Sequence, residues 1–75
     1  MTVVMDRGLQ ERLEQVARRE WWPVASLADV LGKPKMFVYR KVEDGKFHVL
    51  NDGGFLKVTS ASVVRYFSEE HNQIV

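Results

Sequence analysis

Glycine and proline interrupt the middle of the chain so often that only short elements fit between them. Gly32 can take the left-handed conformation that closes a helix, and Pro34 suits the beginning of the next one. Gly45 is placed to supply the C-cap of that second helix. We therefore predict two short helices joined by a tight turn, over residues 26–31 and 35–44.

Capping and periodicity predict where the remaining helices lie. Ser26 with Asp29 three residues later resembles a capping box and predicts the start of the helix over 26–31. Asp6 can cap a helix over residues 6–19, and Thr59 or Ser60 can cap a final helix that ends near His71. Apolar residues recur at helical spacing in these two outer segments: Leu9, Leu13, Val16 and Ala17 in the first, Val63, Val64 and Phe67 in the last.

Two further segments favour extended structure. Residues 21–24, Trp-Trp-Pro-Val, break the helical pattern and predict a short connector or strand. Residues 47–50 and 55–58 are β-prone, and the sequence between them, residues 51–54, is Asn-Asp-Gly-Gly, which accepts the positive φ angles of a tight turn. The pattern predicts a two-stranded β-hairpin.

Length and cysteine content limit what these elements can build. A chain of 75 residues supports one domain with one small core, and without cysteine that core must hold by apolar packing alone. The absence of cysteine excludes disulfides and thiolate metal sites, and no segment has the pattern of a signal peptide or a membrane span. We expect a cytoplasmic protein that is a single domain over residues 1–75, without a membrane partner.

The sequence offers no catalytic or metal-binding constellation. No nucleophile, base and orienting residue can be assembled, and Gly53-Gly54 is a hairpin turn instead of a phosphate loop. His48 and His71 have no carboxylate pair at ligand spacing, so we interpret both as solvated. We expect a protein that is not an enzyme and takes no cofactor or small-molecule substrate.

Charge is distributed unevenly along the chain. The net charge is only +1, but residues 33–57 contain six basic residues against three acidic ones. A moderately positive segment of this kind favours a polyanion as partner.

The two central helices have the spacing of a helix-turn-helix. Ala28 allows the helices to approach, Gly32 makes the turn and Val38 anchors the second helix, which leaves its other side free to enter a major groove. Arg40 can read a guanine edge in bidentate fashion, and Lys33 and Lys35, near the N-terminus of this helix, can meet phosphates. The predicted DNA-binding residues are Lys33, Lys35, Met36, Tyr39, Arg40, Lys41, Lys46, His48, Asn51 and Lys57.

The ordered combination resembles the excisionase-type, MerR-like winged helix-turn-helix family. The resemblance rests on Ser26-Leu27-Ala28-Asp29-Val30-Leu31-Gly32, Val38-Tyr39-Arg40, Glu43-Asp44-Gly45-Lys46, the hairpin, and Val58-Thr59-Ser60-Ala61-Ser62-Val63. It implies an α+β, mainly α fold over residues 21–67 with an extra N-terminal helix over 6–19 and a tail over 68–75. The chain departs from the family at Lys33-Pro34-Lys35-Met36, where a polar, Ser/Thr-rich stretch is usual.

The resemblance also implies a function. The second helix would enter the major groove of double-stranded DNA, and the hairpin would lie against the flanking minor groove or backbone as a wing. Such domains act in DNA recombination as excisionases and architectural factors, or in transcription regulation. The alternatives are a protein–protein interaction adaptor and a small-terminase-like DNA-packaging module on the same scaffold.

Several roles stay open at the level of sequence. At least one of Trp21 and Trp22 is expected in the core instead of stacking on bases, and Tyr39 can either donate to a phosphate or pack. The helix over 6–19 can cover the core, which we favour, or pair with another subunit. Because one small module contacts little DNA, we expect a monomer or weak dimer that fills adjacent DNA sites cooperatively.

Overall fold

Four helices and a three-stranded antiparallel sheet make up the computed structural model, which describes residues 7–71. In chain order the elements are α1 (Arg7–Ala17), β1 (Trp21–Pro23), α2 (Val24–Leu31), α3 (Lys35–Glu43), β2 (Val49–Asp52), β3 (Phe55–Thr59) and α4 (Ser60–His71). The architecture is α+β and mostly helical. Asp6, the predicted cap of the first helix, lies outside the described residues.

The sheet has one strand more than the predicted two-stranded hairpin. Its order is β1-β3-β2, with Trp22 opposite Val58 and Pro23 opposite Lys57. Trp22 is buried, and its indole Nε1 donates a hydrogen bond to the carbonyl of Val16 at 2.9 Å. The segment that we interpreted as a connector or strand is therefore an edge strand of the sheet. The expectation that at least one tryptophan lies in the core is confirmed, because Trp22 is buried.

The hairpin is tighter and shifted relative to its prediction. Asp52 pairs with Phe55, so the turn consists of Gly53 and Gly54, both at positive φ (62° and 79°). Asn51 and Asp52 therefore belong to β2 and not to the turn. At the other end, residues 47 and 48 precede β2, because Phe47 leaves the sheet to enter the core.

The beginning of α2 does not follow the predicted capping box. The helix begins at Val24, with Pro23 as N-cap in an extended conformation and without a side-chain cap hydrogen bond. Ser26 is inside the helix. The earlier start has a packing reason: it places Val24 in the core directly after β1 ends.

The other helix boundaries lie close to their predictions. α3 begins after Pro34 and ends at Glu43; its C-cap is Asp44, and the following Gly45, at φ 75°, donates its N–H to the carbonyl of Val42 at 3.1 Å. α1 ends at residue 17, two residues early. α4 continues to residue 71, so residues 68–71, which we assigned to a tail, are helical.

The core joins all four helices to the inner face of the sheet. α1 contributes Leu13 and Val16, which confirms that this helix covers the core, and α1 packs against both α2 and α4. The buried hydrophobic residues are Leu13, Val16, Trp22, Val24, Leu27, Ala28, Leu31, Val38, Phe47, Val58, Val63 and Phe67. This core fixes the position of α3 relative to its neighbours.

The turn between α2 and α3 is held by glycine and by an arginine from α1. Gly32 has φ 67° and donates its N–H to the carbonyl of Asp29 at 3.1 Å, while Arg12 Nη1 donates to the carbonyl of Leu31 at 3.0 Å. A Cβ at position 32 would lie 2.8 Å from Arg12 Nη1. A larger residue at position 32 would therefore be strained at this φ and would also displace the end of the Arg12 side chain.

Gly32→Ala is expected to lower the free energy of unfolding by about 1–2 kcal/mol, because alanine is strained at this φ. Displacement of Arg12 adds to that cost. Gly45→Ala is the matched control, since Gly45 also has positive φ (75°) but a Cβ there meets nothing within 4 Å. Urea denaturation should show a larger loss at Gly32, and the excess should shrink in an Arg12→Ala background. If the excess loss of stability at Gly32 is the same in the wild-type and Arg12→Ala backgrounds, the arginine contact does not contribute to it.

Candidate nucleic-acid interface

α3 presents most of its side chains outward. Val38 is buried, with Ala28 of α2 also in the core beside the turn, and this packing holds α3 by one side. On its other side Met36 and Tyr39 are 59% and 42% exposed. We define the α3 ridge as the exposed residues of this helix: Lys35, Met36, Tyr39, Arg40 and Glu43. The ridge combines cations, hydrogen-bonding groups and apolar surface on a rigid element.

An apolar groove separates the α3 ridge from the hairpin. Tyr39 lies on the helix side of this groove, and Gly54 and Leu56 lie on the hairpin side. The beginning of α2, at Val24 and Ala25, forms the remaining wall. The tip of the hairpin is therefore close to the middle of α3, with a shallow depression between them.

A basic cleft lies along another flank of α3. Its lining residues are Lys33, Pro34, Met36, Phe37, Arg40 and Lys41. The Nζ atoms of Lys33 and Lys41 each lie 5.4 Å from the centroid of the Phe37 ring. Because cations are attracted to the faces of aromatic rings, Phe37 gathers two lysines beside Arg40. The cleft thus concentrates positive charge next to the ridge.

A second polar cavity, which we call the α4 cavity, lies between α4 and the segment that follows α3. It is lined by Gly45, Lys46, His48, Ser62, Arg65, Tyr66 and Glu69. Lys41 connects it to the basic cleft, since its Nζ also lies 5.0 Å from the ring centroid of Tyr66. Basic side chains therefore continue from the start of α3 to the region beyond its C-terminal end.

Lys57 lies apart from these cations. It pairs with Leu50 and Pro23 on the face of the sheet opposite the core, and its Nζ is 4.5 Å from the ring centroid of Trp21. Arg19 lies on the same tryptophan pair, 4.5 Å from the ring of Trp22. Lys57 thus interacts with an aromatic ring of its own fold.

The structure brings together some of the predicted site residues and separates others. Lys33, Met36, Arg40 and Lys41 share the basic cleft, and Lys46 and His48 share the α4 cavity. Lys35 and Tyr39 lie on the α3 ridge. Asn51 is exposed on β2 opposite Leu56, and Lys57 lies on the outer face of the sheet.

Sequence reasoning missed two arginines. Arg65 lines the α4 cavity beside Lys46 and His48, and Arg12 fixes the turn that precedes α3. Neither residue is close in sequence to the segment with which it interacts. The helical spacing of Ser62 and Arg65 predicts that they share one face of α4, but only the fold places that face against the end of α3.

Comparison with known proteins supplies no further constraint, because no protein-family model, curated protein or solved structure matches this chain. Among the side chains that the structure describes, which do not include those of Asp52, Glu70 and His71, no cluster of three or more His, Cys, Asp or Glu residues could hold a metal ion. None of the helices within residues 7–71 is both long enough and apolar enough to cross a membrane.

Proposed function

We propose that this protein binds double-stranded DNA as a winged helix-turn-helix, with α3 in the major groove and the β2–β3 hairpin as the wing. The observation that carries the proposal is the α3 ridge together with its basic cleft. A helix that is anchored by a buried Val38, follows a tight turn at Gly32 and exposes Arg40 between lysines has the geometry and charge of a recognition helix. The three-stranded sheet is compatible with this assignment, since the added strand lies on the side of β3 away from β2.

The side chains of the ridge suit direct reading of bases. The Arg40 guanidinium can donate two parallel hydrogen bonds to O6 and N7 of guanine, which is a common specific contact in major grooves. Met36 offers an apolar contact for a thymine methyl group, and Tyr39 can donate to a phosphate or a base. In this proposal Met36, Tyr39 and Arg40, which are neighbours on one face of α3, make the contacts with bases.

The flanking lysines suit phosphate binding. Lys33 and Lys35 lie at the beginning of α3, where the helix dipole and free backbone N–H groups also favour an anion. Lys41 and Lys46 lie along and beyond its C-terminal half. On the wing side, Asn51 is an exposed hydrogen-bonding residue near the hairpin tip. A recombination factor of the excisionase type or a small transcription regulator requires this combination of base and backbone contacts.

A titration of labelled mixed-sequence duplex at 50 mM and 200 mM salt tests the proposal. If the four lysines each neutralise one phosphate, the logarithm of the association constant should fall with a slope of about −3.6 against the logarithm of salt concentration, or about 150-fold over this range. Fluorescence anisotropy measures both affinities. Absence of any salt-dependent affinity for duplex DNA would reject DNA binding.

The second candidate is a protein-interaction adaptor, and one observation favours it. Met36, Tyr39 and Leu50 are large exposed hydrophobic side chains, and two of them lie on the α3 ridge. Exposed apolar side chains on one helix suit a protein partner as well as a DNA groove. An adaptor would show no salt-sensitive affinity for DNA, so the same titration separates the two functions.

A further inference from the structure

We propose that Lys46, His48 and Arg65 form a phosphate-binding site in the α4 cavity, which takes a backbone phosphate of DNA beyond the C-terminal end of α3. The inference rests on the DNA-binding function proposed above and extends the interface to α4. No part of α4 belongs to the base-reading surface, so α4 would bind the phosphate backbone of DNA without contributing to sequence specificity.

Lys46 is held against the end of α3 by the backbone. The N–H groups of Lys46 and Phe47 both donate to the carbonyl of Lys41, at 2.9 and 3.1 Å. Phe47 is only 1% exposed, so the residue after Lys46 is anchored in the core. The backbone position of Lys46 is thus set by α3 itself, while its side chain remains exposed.

His48 is fixed by a separate set of hydrogen bonds. Its N–H donates to Ser62 Oγ at 2.9 Å, and its carbonyl accepts from the N–H of Thr59 at 2.9 Å. Ser62 is buried, and its hydroxyl donates in turn to the carbonyl of Thr59 at 2.8 Å. These bonds join the segment after α3 to the first turn of α4 and leave the imidazole exposed. The backbone that carries His48 is therefore fixed before a ligand arrives, which lowers the part of the entropy cost of binding that comes from ordering the backbone.

Arg65 completes the site from α4. It follows Ser62 by three residues and so lies on the same helix face, and its exposed side chain lines the cavity with Lys46 and His48. A guanidinium binds phosphate oxygens in a bidentate manner, whereas the lysine ammonium acts as a point charge. Glu69 also lines this cavity and opposes anion binding, which provides a test of opposite sign.

The position of the cavity fits a helix lying in a groove. α3 has nine residues and is therefore roughly 14 Å long, which is comparable with the width of about 12 Å of the major groove of B-DNA. Cations at the two ends of such a helix can approach opposite phosphate backbones. Lys33 and Lys35 lie at one end, and the α4 cavity lies beyond the other.

The test compares Lys46→Ala, Arg65→Ala, their double variant and Glu69→Gln in anisotropy titrations over a salt series. If the two cations hold one phosphate, the double variant should lower the salt slope by about 0.9 and weaken binding about eightfold at 0.1 M salt. The loss should be equal on a selected target duplex and on mixed-sequence DNA. Glu69→Gln should tighten binding on both DNAs.

Arg18→Ala is the matched control, because this exposed arginine lines a different cavity from the one that Lys46 and Arg65 line. It removes the same charge and should leave affinity unchanged. If the wild type binds DNA with salt-dependent affinity, and Arg65→Ala, Lys46→Ala and Glu69→Gln all bind as tightly as the wild type, the phosphate site is overturned but the proposed function is not. A loss confined to the target duplex would overturn the phosphate assignment, and no duplex binding by the wild type would overturn both this site and the proposed function.

Discussion

Phe47→Ala is expected to cost about 3–5 kcal/mol in the free energy of unfolding, the usual range for truncating a buried phenylalanine. The ring is 1% exposed and packs edge-on against Phe37 and Tyr66, with centroids 6.3 and 5.5 Å away, and at 6.4 Å from Phe67. A chain of 75 residues has a total stability of roughly 4–11 kcal/mol. This single truncation should therefore remove a large share of it.

Urea denaturation followed by circular dichroism measures the effect as a lower transition midpoint. Leu50→Ala is the control, because Leu50 is 48% exposed and its truncation should change stability by no more than about 0.5 kcal/mol. Phe47→Leu retains an apolar side chain and should recover part of the loss. Equal midpoints for Phe47→Ala and Leu50→Ala would show that the aromatic cluster does not support the fold.

Phe47 also has a consequence for the interface. Its N–H is bonded to the carbonyl of Lys41 in α3, and its ring contacts residues of α4. The same residue therefore holds the end of α3, the start of the hairpin and α4 together. We expect variants of Phe47 to lose DNA affinity through unfolding, so they cannot be used to map contacts.

Arg40→Ala is expected to weaken binding to a selected target duplex by about 1–3 kcal/mol, the range for a lost bidentate contact with guanine. This corresponds to roughly 5- to 150-fold in affinity. Because Arg40 is exposed on the α3 ridge, its truncation should leave the midpoint of denaturation unchanged. The target is obtained by selection from a random duplex pool, and anisotropy at fixed salt gives the affinities.

Binding to mixed-sequence DNA should fall much less in Arg40→Ala, since non-specific binding rests on phosphate contacts. Arg18→Ala removes the same charge from a residue that lies outside the α3 ridge and its basic cleft, and it should affect binding to neither DNA. Equal losses on target and mixed DNA would reassign Arg40 to a phosphate contact. No loss on either duplex would remove the α3 ridge from the interface.

Much of the fold was predictable because it depends on local chemistry. Gly32 ends α2 at positive φ as predicted, and Gly53-Gly54 forms the hairpin turn. The C-cap of α3 is Asp44 and not the predicted Gly45, which follows the cap at positive φ. The four helices also lie within a few residues of their predicted spans, since apolar periodicity reports which face of a helix is buried. The prediction that Ser26 caps α2 was wrong. The helix begins two residues earlier, at Val24, because burial of Val24 contributes more than a capping hydrogen bond from Ser26 would.

The candidate site was predictable on α3 and in the segment after it, where Lys46 and His48 were predicted to bind DNA, but not on α4. Exposure of Lys35, Met36, Tyr39 and Arg40 follows from a helix that is anchored by Val38. Lys57, a predicted DNA-binding residue, lies on the hairpin strand β3, and its ammonium also contacts the ring of Trp21. Trp21 belongs to β1, which is adjacent to β3 in the sheet but remote from it in sequence, and nothing in the local pattern indicates that pairing.

The sequence by itself determined the properties that depend on neighbours along the chain: the turns at glycine, the short helices, the hairpin and the exposed side of α3. What the tertiary structure decided are relations between distant residues: the pairing of Trp22 with Val58, the burial of Phe47 and the meeting of Arg65 with Lys46 and His48. The reason is physical. A backbone angle depends on the residue that adopts it, whereas strand pairing and packing gain their energy only when remote segments meet, and the one-dimensional pattern does not record which segments those are.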